Sequence, residues 1–457
     1  MGKESSKVSL GLRLAYGCGD LGLNLFSMAV GSFVTAYYTD SVLLGAAFVG
    51  TMMLIARCFD GVSDIIMGII IDHTHTKIGK ARPWVLISAI PVAVSMILLY
   101  SVPSGLGTTA KMVYVYVTYI LAMVIIATIG NLSVSTLCTF MSPDLGVRAQ
   151  LAEARTMGSN LGSFIATAFT MTVVAAYGGG QKGYTLMAVT FGIIVAALLF
   201  ITGGVCKEYN VEPAGKDAAA PKNTTPIGKA VKLLLTNKYT WIVTCCFIFN
   251  WLGICTNASA MVYYARDVLN NMGAVTPLAC AISLPAILIT MVGIVPKLTG
   301  KYGKRKMMMV GSGIQVVGFA ISFLMAENLT MVLVGLVIRT FGLGIFVANL
   351  FASVADLADY VDIKNNVHIA GVTNSVTSFG MKVGVGLGSA TVGWVLAIVG
   401  YSAELANAGE MQSAVTMLGE KLCYAGLPCI FCIIVFALSC FMDVDVRLKN
   451  IKAERGL

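Results

Sequence analysis

The chain has 457 residues, of which 57% are hydrophobic and 12% charged, with a formal net charge of +9. A soluble protein is about 25% charged, and a soluble fold of this length would have a wet surface that so few charges cannot cover. The positive excess, 31 Lys and Arg against 22 Asp and Glu, falls in short clusters between apolar runs, which is what membrane topology produces and which argues against a nucleic-acid partner.

Lys3, Lys7 and Arg13 precede the first apolar stretch, which continues to about Tyr38. That is too long for the apolar region of a signal peptide, and no small-residue cleavage site stands out. At about 20 apolar residues per crossing, the chain predicts an all-α membrane protein of twelve spans: 11–38, 44–71, 84–102, 112–141, 153–177, 184–205, 238–265, 273–296, 307–325, 330–358, 369–398 and 419–442. An even number puts both termini on one side. Lys111, Lys182, Arg266 and Lys421 fall on the opposite side, Arg57, Arg339 and Lys382 fall inside spans, and the remaining Lys and Arg lie with the termini. Both termini are therefore expected in the cytoplasm.

Span 1 carries Asp20 and Asn24, one turn apart. Span 2 holds the sharpest cluster, Arg57, Asp60 and Asp64 in RCFDGVSDIIMG. Their spacings of three and four place all three on one helical face. A charge at the centre of a span costs about 2.5–3.5 kcal/mol on insertion scales, so such residues need a reason. Two carboxylates one turn apart become tolerable when a proton or metal cation sits between them, or when Arg57 neutralises one. Ser63 adds a hydroxyl oxygen, and hard cations take oxygen ligands. The bland alternative is a structural Arg–Asp pair with a second Asp near the interface. In the loop that follows, His73 and His75 form a His-x-His pair too weak to carry a metal site. Span 4 bears Thr128, Asn131, Ser133, Ser135 and Thr136, unusually polar for a face turned to lipid.

The stretch 206–237 is the longest hydrophilic one and reads as a flexible cytoplasmic linker. It divides an N-terminal six-helix bundle, 1–205, from a C-terminal bundle with its cytoplasmic tail, 238–457. Gly79-Lys80-Ala81-Arg82 between spans 2 and 3 is echoed by Gly303-Lys304-Arg305-Lys306 between spans 8 and 9, about half the chain later. Parallel six-helix repeats are the plan of the major facilitator fold. Lys382 lies mid-span in SFGMKVGVGLG, where glycines admit a close neighbour. The twelve Cys lie mostly in apolar runs without zinc or redox spacing, and read as small buried thiols. No Walker P-loop, HExxH or GxSxG motif is present, so no enzymatic activity is expected. Without a nucleotide site, transport draws on an ion gradient or on the solute's own.

Tyr16-Gly17-Cys18-Gly19-Asp20, Tyr37-Tyr38-Thr39-Asp40, RCFDGVSDIIMG and Lys77-Ile78-Gly79-Lys80-Ala81-Arg82-Pro83-Trp84 resemble the glycoside–pentoside–hexuronide:cation symporters, of melibiose and glucuronide permease type, within the major facilitator superfamily. The resemblance runs through both halves, with Asp144, Arg148 and Arg155 after span 4 and DLADYVDIKNN…GVTNSVTSFGMKVG near span 11. It implies coupling-cation binding by Asp60 and Asp64, assisted by Ser63 and Thr128, with Lys382 near both ion and sugar. It implies Na+, Li+ or H+ as the coupling ion, no other cofactor, and a glycoside at the midplane. Two departures stand out. The acids of the melibiose branch in helices 1 and 4 are here Asn24 and Asn131, and an Arg and a Glu common in the helix 10–11 loop are here His368 and Ala370.

The expectation is therefore a multi-pass protein of the bacterial cytoplasmic membrane, functional as a monomer, that symports a glycoside with a cation. Asn24, Asn131, Ser135, Arg155, Ser378 and Lys382 are the expected solute contacts. Gating is expected from Arg57, Asp72, Arg82, Asp144, Arg148 and Asp359, with Lys80, Lys304 and Arg305, through ion pairs that close the cytoplasmic side. Counting Lys382 and Arg155 against two missing carboxylates shifts the cavity by about two charges toward positive, which points to an anionic solute such as a glucuronide. The alternatives are a neutral pentoside or glucoside, a lysolipid carried by the same fold, or a non-transporting membrane scaffold.

Overall fold

The computed structural model describes residues 8–142, 144–209, 232–292, 294–365 and 370–454. Twelve principal helices run through them. The first six are α1 (Leu10–Ala36), α2 (Ala46–His73), α3 (Arg82–Leu99), α4 (Thr108–Met141), α5 (Leu145–Ala176) and α6 (Gly180–Val205). The second six are α7 (Lys238–Tyr263), α8 (Val275–Val292), α9 (Lys304–Leu324), α10 (Leu329–Asn365), α11 (Ala370–Ile398) and α12 (Leu427–Cys440). A tail helix, α13 (Val444–Glu454), follows. Local signals set the starts: Ser9 and Asn237 side chains accept from the first free backbone N–H groups of α1 and α7, and Pro83 occupies the first turn of α3, where its missing N–H is harmless.

Eleven helical stretches among the described residues are long and apolar enough to cross a bilayer. The twelfth crossing is α2, 28 residues long, which carries Arg57, Asp60 and Asp64 in its middle. The expected spans stand, with shifted ends. The fifth helix starts at Leu145 rather than 153 and the tenth reaches Asn365 rather than 358, because hydropathy marks only the apolar part of a helix that projects into water. The short helix Ala403–Ala408 and α13 are too polar or too short to leave such a signal.

Within the first six helices, α1 packs against α5 and α6, and α3 against α6; within the second six, α9 packs against α10, and α7 against α11 and α12. The sets meet along three seams, α2 with α11, α5 with α8, and α1 with α7. A methyl added at Gly50 or Gly393 would meet the backbone of the opposite bundle at Ala390 or Ala46, the close packing that small residues permit between membrane helices.

The half-chain echo has a structural counterpart. Gly79 and Gly303 both take positive φ, 123° and 84°, where a side chain is strained. Arg82 donates to the carbonyls of Gly203 (2.6 Å) and Gly204 (2.9 Å) at the end of α6, and Arg305 donates to that of Cys440 at the end of α12. Glu208 accepts from the backbone N–H groups of Lys80, Ala81 and Arg82 at 2.8–2.9 Å. A second echo lies at the other ends: α1 and α7 both run into a π-helical turn, Tyr37–Ser41 and Tyr264–Val268, each beginning within a Tyr-Tyr pair.

Candidate transport site

Asp60, Ser63 and Thr128 come together where α2 meets α4. Thr128 Oγ1 donates to Asp60 Oδ1 at 3.2 Å. Ser63 Oγ lies 3.1 Å from Thr128 Oγ1 and 2.9 Å from the Asp60 carbonyl, to which it donates. Asp60 and Thr128 are buried, 8% and 5% exposed, whereas Ser63 and Asp64 are half-buried. The donor set is all oxygen, two carboxylates and two hydroxyls, and so suits a hard cation.

Two positive side chains already attend these acids. Arg57 Nη1 donates to Asp60 Oδ2 at 3.5 Å. From across the seam, Lys382 of α11 bonds the Asp64 carboxylate, donates to the Asp60 carbonyl at 3.3 Å and lies 3.8 Å from Asp60 Oδ2. Lys382 thus touches both acids of the pair from the opposite bundle. Gly386, one turn further along α11, lies against the Arg57 side chain, where a methyl would come within 2.8 Å of Arg57 Cβ.

The expected solute contacts divide. Thr128, Asn131 and Ser135 share one face of α4, at spacings of three and four, and Ser378 stands one turn before Lys382 on α11; Asn131, Ser135 and Ser378 are half-buried. Asn24 donates its amide to the Asp20 carbonyl at 2.9 Å. Arg155 bonds Asp20 Oδ2 at 2.9 Å and Ser135 Oγ at 2.8 Å. Its charge therefore has a carboxylate partner, which the sequence reading had left out of the count.

Four of the expected gating residues, Arg82, Arg148, Lys304 and Arg305, bond inside their own bundles. Besides Arg82, Arg148 donates to the carbonyls of Ser142 (2.6 Å) and Thr139 (2.7 Å), and Lys304 pairs with Asp356 at 2.6 Å. Asp144 and Asp359 are exposed; the Asp72 side chain and His368 lie outside the described residues. His73 and His75 are exposed, and no cluster of three or more metal-ligating residues occurs among the described residues.

Among the described residues, a row of hydrogen bonds between the bundles runs from Lys382 toward the face away from the termini. Ser259 donates to the Gly31 carbonyl at 3.2 Å, Trp394 to Thr51 at 3.1 Å, and Thr39 shares a 2.8 Å hydrogen bond with Tyr263. At the rim Arg266 bonds Asp40 (2.6 Å), both oxygens of Asp267 and the Tyr401 hydroxyl, which itself donates to Asp40 at 2.7 Å. Sequence reasoning missed this latch: Asp40 stood in a quoted motif without a role, and Arg266 was counted only for topology. The repeated Tyr-Tyr at the ends of spans 1 and 7 was the available signal.

The sequence matches the MFS/sugar transport protein family over residues 15–446. The chain belongs to that family. It is 32% identical over 413 residues to the isoprimeverose transporter of Lactiplantibacillus pentosus, covering 89% of this chain and 84% of that one. It is 26% identical over 450 residues to the glucuronide carrier protein homolog of Escherichia coli K12, covering 96% and 94%. A solved bacterial homolog of the human lysosomal transporter Spinster, inward-facing and unoccupied, matches with a TM-score of 0.68 at 14% identity, covering 98% and 99%, a likeness of fold alone. This member of the sugar-transport family is a multi-pass membrane transporter of the major facilitator fold and not an enzyme.

Proposed function

We propose that the chain symports an uncharged glycoside with a monovalent cation, by alternating access between the bundles 1–205 and 238–457 joined by the cytoplasmic linker 206–237. The carrying observation is the all-oxygen cluster of Asp60, Ser63, Asp64 and Thr128 with Lys382 bonded into it. The ammonium stands in for a cation: entry of Na+, Li+ or H+ at the acids releases Lys382 toward a solute held by Asn24, Asn131, Ser135 and Ser378. Both termini lie in the cytoplasm of a bacterial cell by the positive-inside count, and the single chain is the working unit. The latch around Arg266 then holds the external side closed.

An anionic solute requires Lys382 and Arg155 to be uncompensated, whereas a neutral one fits a pocket in which Asp60 or Asp64 neutralises Lys382. With their partners included, Arg57, Arg155 and Lys382 stand against Asp20, Asp60 and Asp64, an even balance. The relatives' names divide on charge, isoprimeverose being neutral and a glucuronide an anion; the ion pairs favour the neutral side. Counterflow of labelled glycosides in proteoliposomes tests this. Cation-dependent exchange displaced by neutral pentosides and β-glucosides is the expected result. Displacement by glucuronides alone would restore the anionic solute, and exchange indifferent to Na+ and pH would remove the coupling.

A further inference from the structure

On the face of the termini, a cavity of about 420 Å³ opens between three elements of the second bundle: the stretch from Leu233 into the start of α7, the end of α10, and α13. Its charged lining is Lys238, Lys364 and Arg447, and no carboxylate lines it. Direct contacts hold the three elements together. The Tyr239 and Tyr360 rings meet edge to face with centroids 5.6 Å apart. The Tyr239 hydroxyl donates to Asp443 Oδ1 at 2.6 Å, and Arg447 Nε donates to Asp443 Oδ2 at 2.9 Å.

Positive residues on this face are what topology demands, but topology does not make them converge on one cavity. Asp443 engages both its oxygens behind the cavity wall, which leaves three positive charges against one negative. Among the described residues, no carboxylate lies within ion-pair distance of Lys238 or Lys364. Each ammonium lies over a ring instead: Lys238 is 4.8 Å from the Tyr239 centroid, and Lys364 is 5.5 Å from that of Tyr360 and 3.4 Å from its hydroxyl. A ring holds a cation in place without neutralising it. An ammonium has three donors and a guanidinium five, so most of these N–H groups are free for a ligand. Thr236, Asn237 and Asn365 add uncharged polar groups to the wall.

We infer that this cavity binds a phosphate group, carried as a monoester by a small polar molecule. A phosphomonoester brings about 1.5–2 negative charges at neutral pH, which matches the excess. Its oxygens accept from the two ammoniums and from the free Nη groups of Arg447, whose planar fork suits phosphate. The rest of the molecule meets Thr236, Asn237 and Asn365. The diester of a lipid headgroup offers the same chemistry with a single charge and leaves half the excess unmet. The bound group fastens α13 to the ends of α7 and α10, whether or not the chain couples solute to cation.

The test is the thermal midpoint of the full-length protein in uncharged detergent and low-salt, phosphate-free buffer, titrated with glucose 6-phosphate and with glucose. Glucose 6-phosphate is expected to raise the midpoint saturably, as a ligand of the folded state does, and glucose to leave it unchanged. Lys238→Gln and Lys364→Gln, at exposed positions without an acid partner, should fold normally and each weaken the half-saturating concentration about tenfold. The same variants in phosphatidylcholine nanodiscs, with and without phosphatidylglycerol, distinguish the source. A lysine-dependent rise with phosphatidylglycerol but none with glucose 6-phosphate assigns the cavity to a lipid headgroup and overturns the monoester. No rise with either, or a rise that both Gln variants keep undiminished, overturns the phosphate site itself.

Discussion

Asp60 and Asp64 differ in setting although they stand one turn apart on the same face. The Asp60 side chain is 12% exposed and holds Arg57, Thr128 and Lys382 around it; the Asp64 side chain is 40% exposed and pairs with Lys382. Neutralising either should abolish cation-stimulated uptake, but with different side effects. Asp60→Asn leaves Arg57 without its carboxylate, and breaking a buried pair from one side costs about 3–5 kcal/mol. It should therefore lower the thermal midpoint of the purified protein, while Asp64→Asn leaves it nearly unchanged. Equal midpoints, or retained Na+ stimulation in either variant, would contradict this account. The pair was legible in the sequence because charge inside an apolar span is rare and the spacing fixes the face. The partner of Arg155 was not, because a contact between α1 and α5 has no sequence spacing to read.

The turns near the termini show what an element contributes beyond its residues. Gly79 and Gly303 occupy equivalent places and both take positive φ, but their surroundings differ. A methyl at Gly79 would run into the Glu208 carboxylate that caps the start of α3; at Gly303 the nearest atom is an Asp445 oxygen at 3.9 Å. Gly79→Ala thus meets backbone strain and displaces a cap, whereas Gly303→Ala meets strain alone. Strain of this kind is about 1–3 kcal/mol, and losing a charged acceptor adds about 1.5–3 kcal/mol. Thermal unfolding should show the larger drop for Gly79→Ala, and Glu208→Gln should reproduce part of it; a larger drop at Gly303 would show that the two turns are not held as described. The Gly-Lys echo was visible in the sequence, yet its meaning was not. Arg82 and Arg305 read as candidates for inter-bundle gating, and the structure has each bonded to carbonyls in its own bundle. The π segments were invisible, since one extra residue inside a uniformly apolar run leaves the hydrophobic pattern unchanged.

At the scale of the whole molecule, the state of the transporter turns on few bonds. Asp40 belongs to the first bundle; Arg266, Tyr401 and Asn407, all bonded to it, belong to the second. Removing the guanidinium forfeits several charged hydrogen bonds, each about 1.5–3 kcal/mol. Even one such loss shifts the balance of inward- and outward-facing states about tenfold or more. In an Arg266→Ala protein carrying Ser259→Cys, an impermeant maleimide applied from the face opposite the termini should label position 259 at least about tenfold faster than in the Ser259→Cys parent. An unchanged rate would mean that the seams of α1 with α7 and α2 with α11 hold the face shut alone. The fold and the helix number were readable because lipid imposes a length and a charge rule on every crossing. The latch was not, because polar residues at helix ends are also what topology demands.

The lysine bonded between the two acids has an electrical consequence. With Arg57 and Lys382 facing Asp60 and Asp64, the transport centre carries no net charge before an ion arrives. On the proposed cycle, the empty protein therefore reorients without moving charge through the membrane field, and one positive charge moves when ion and neutral solute cross together. That charge gains about 2.3 kcal/mol per 100 mV when it traverses the full potential. The membrane voltage accelerates the loaded crossing and leaves the return step indifferent to it. A solute jump on proteoliposomes adsorbed to a capacitive electrode should give a positive inward transient in the presence of Na+. Voltage-dependent return of the empty protein would show instead that the lysine leaves the site before the bundles rock.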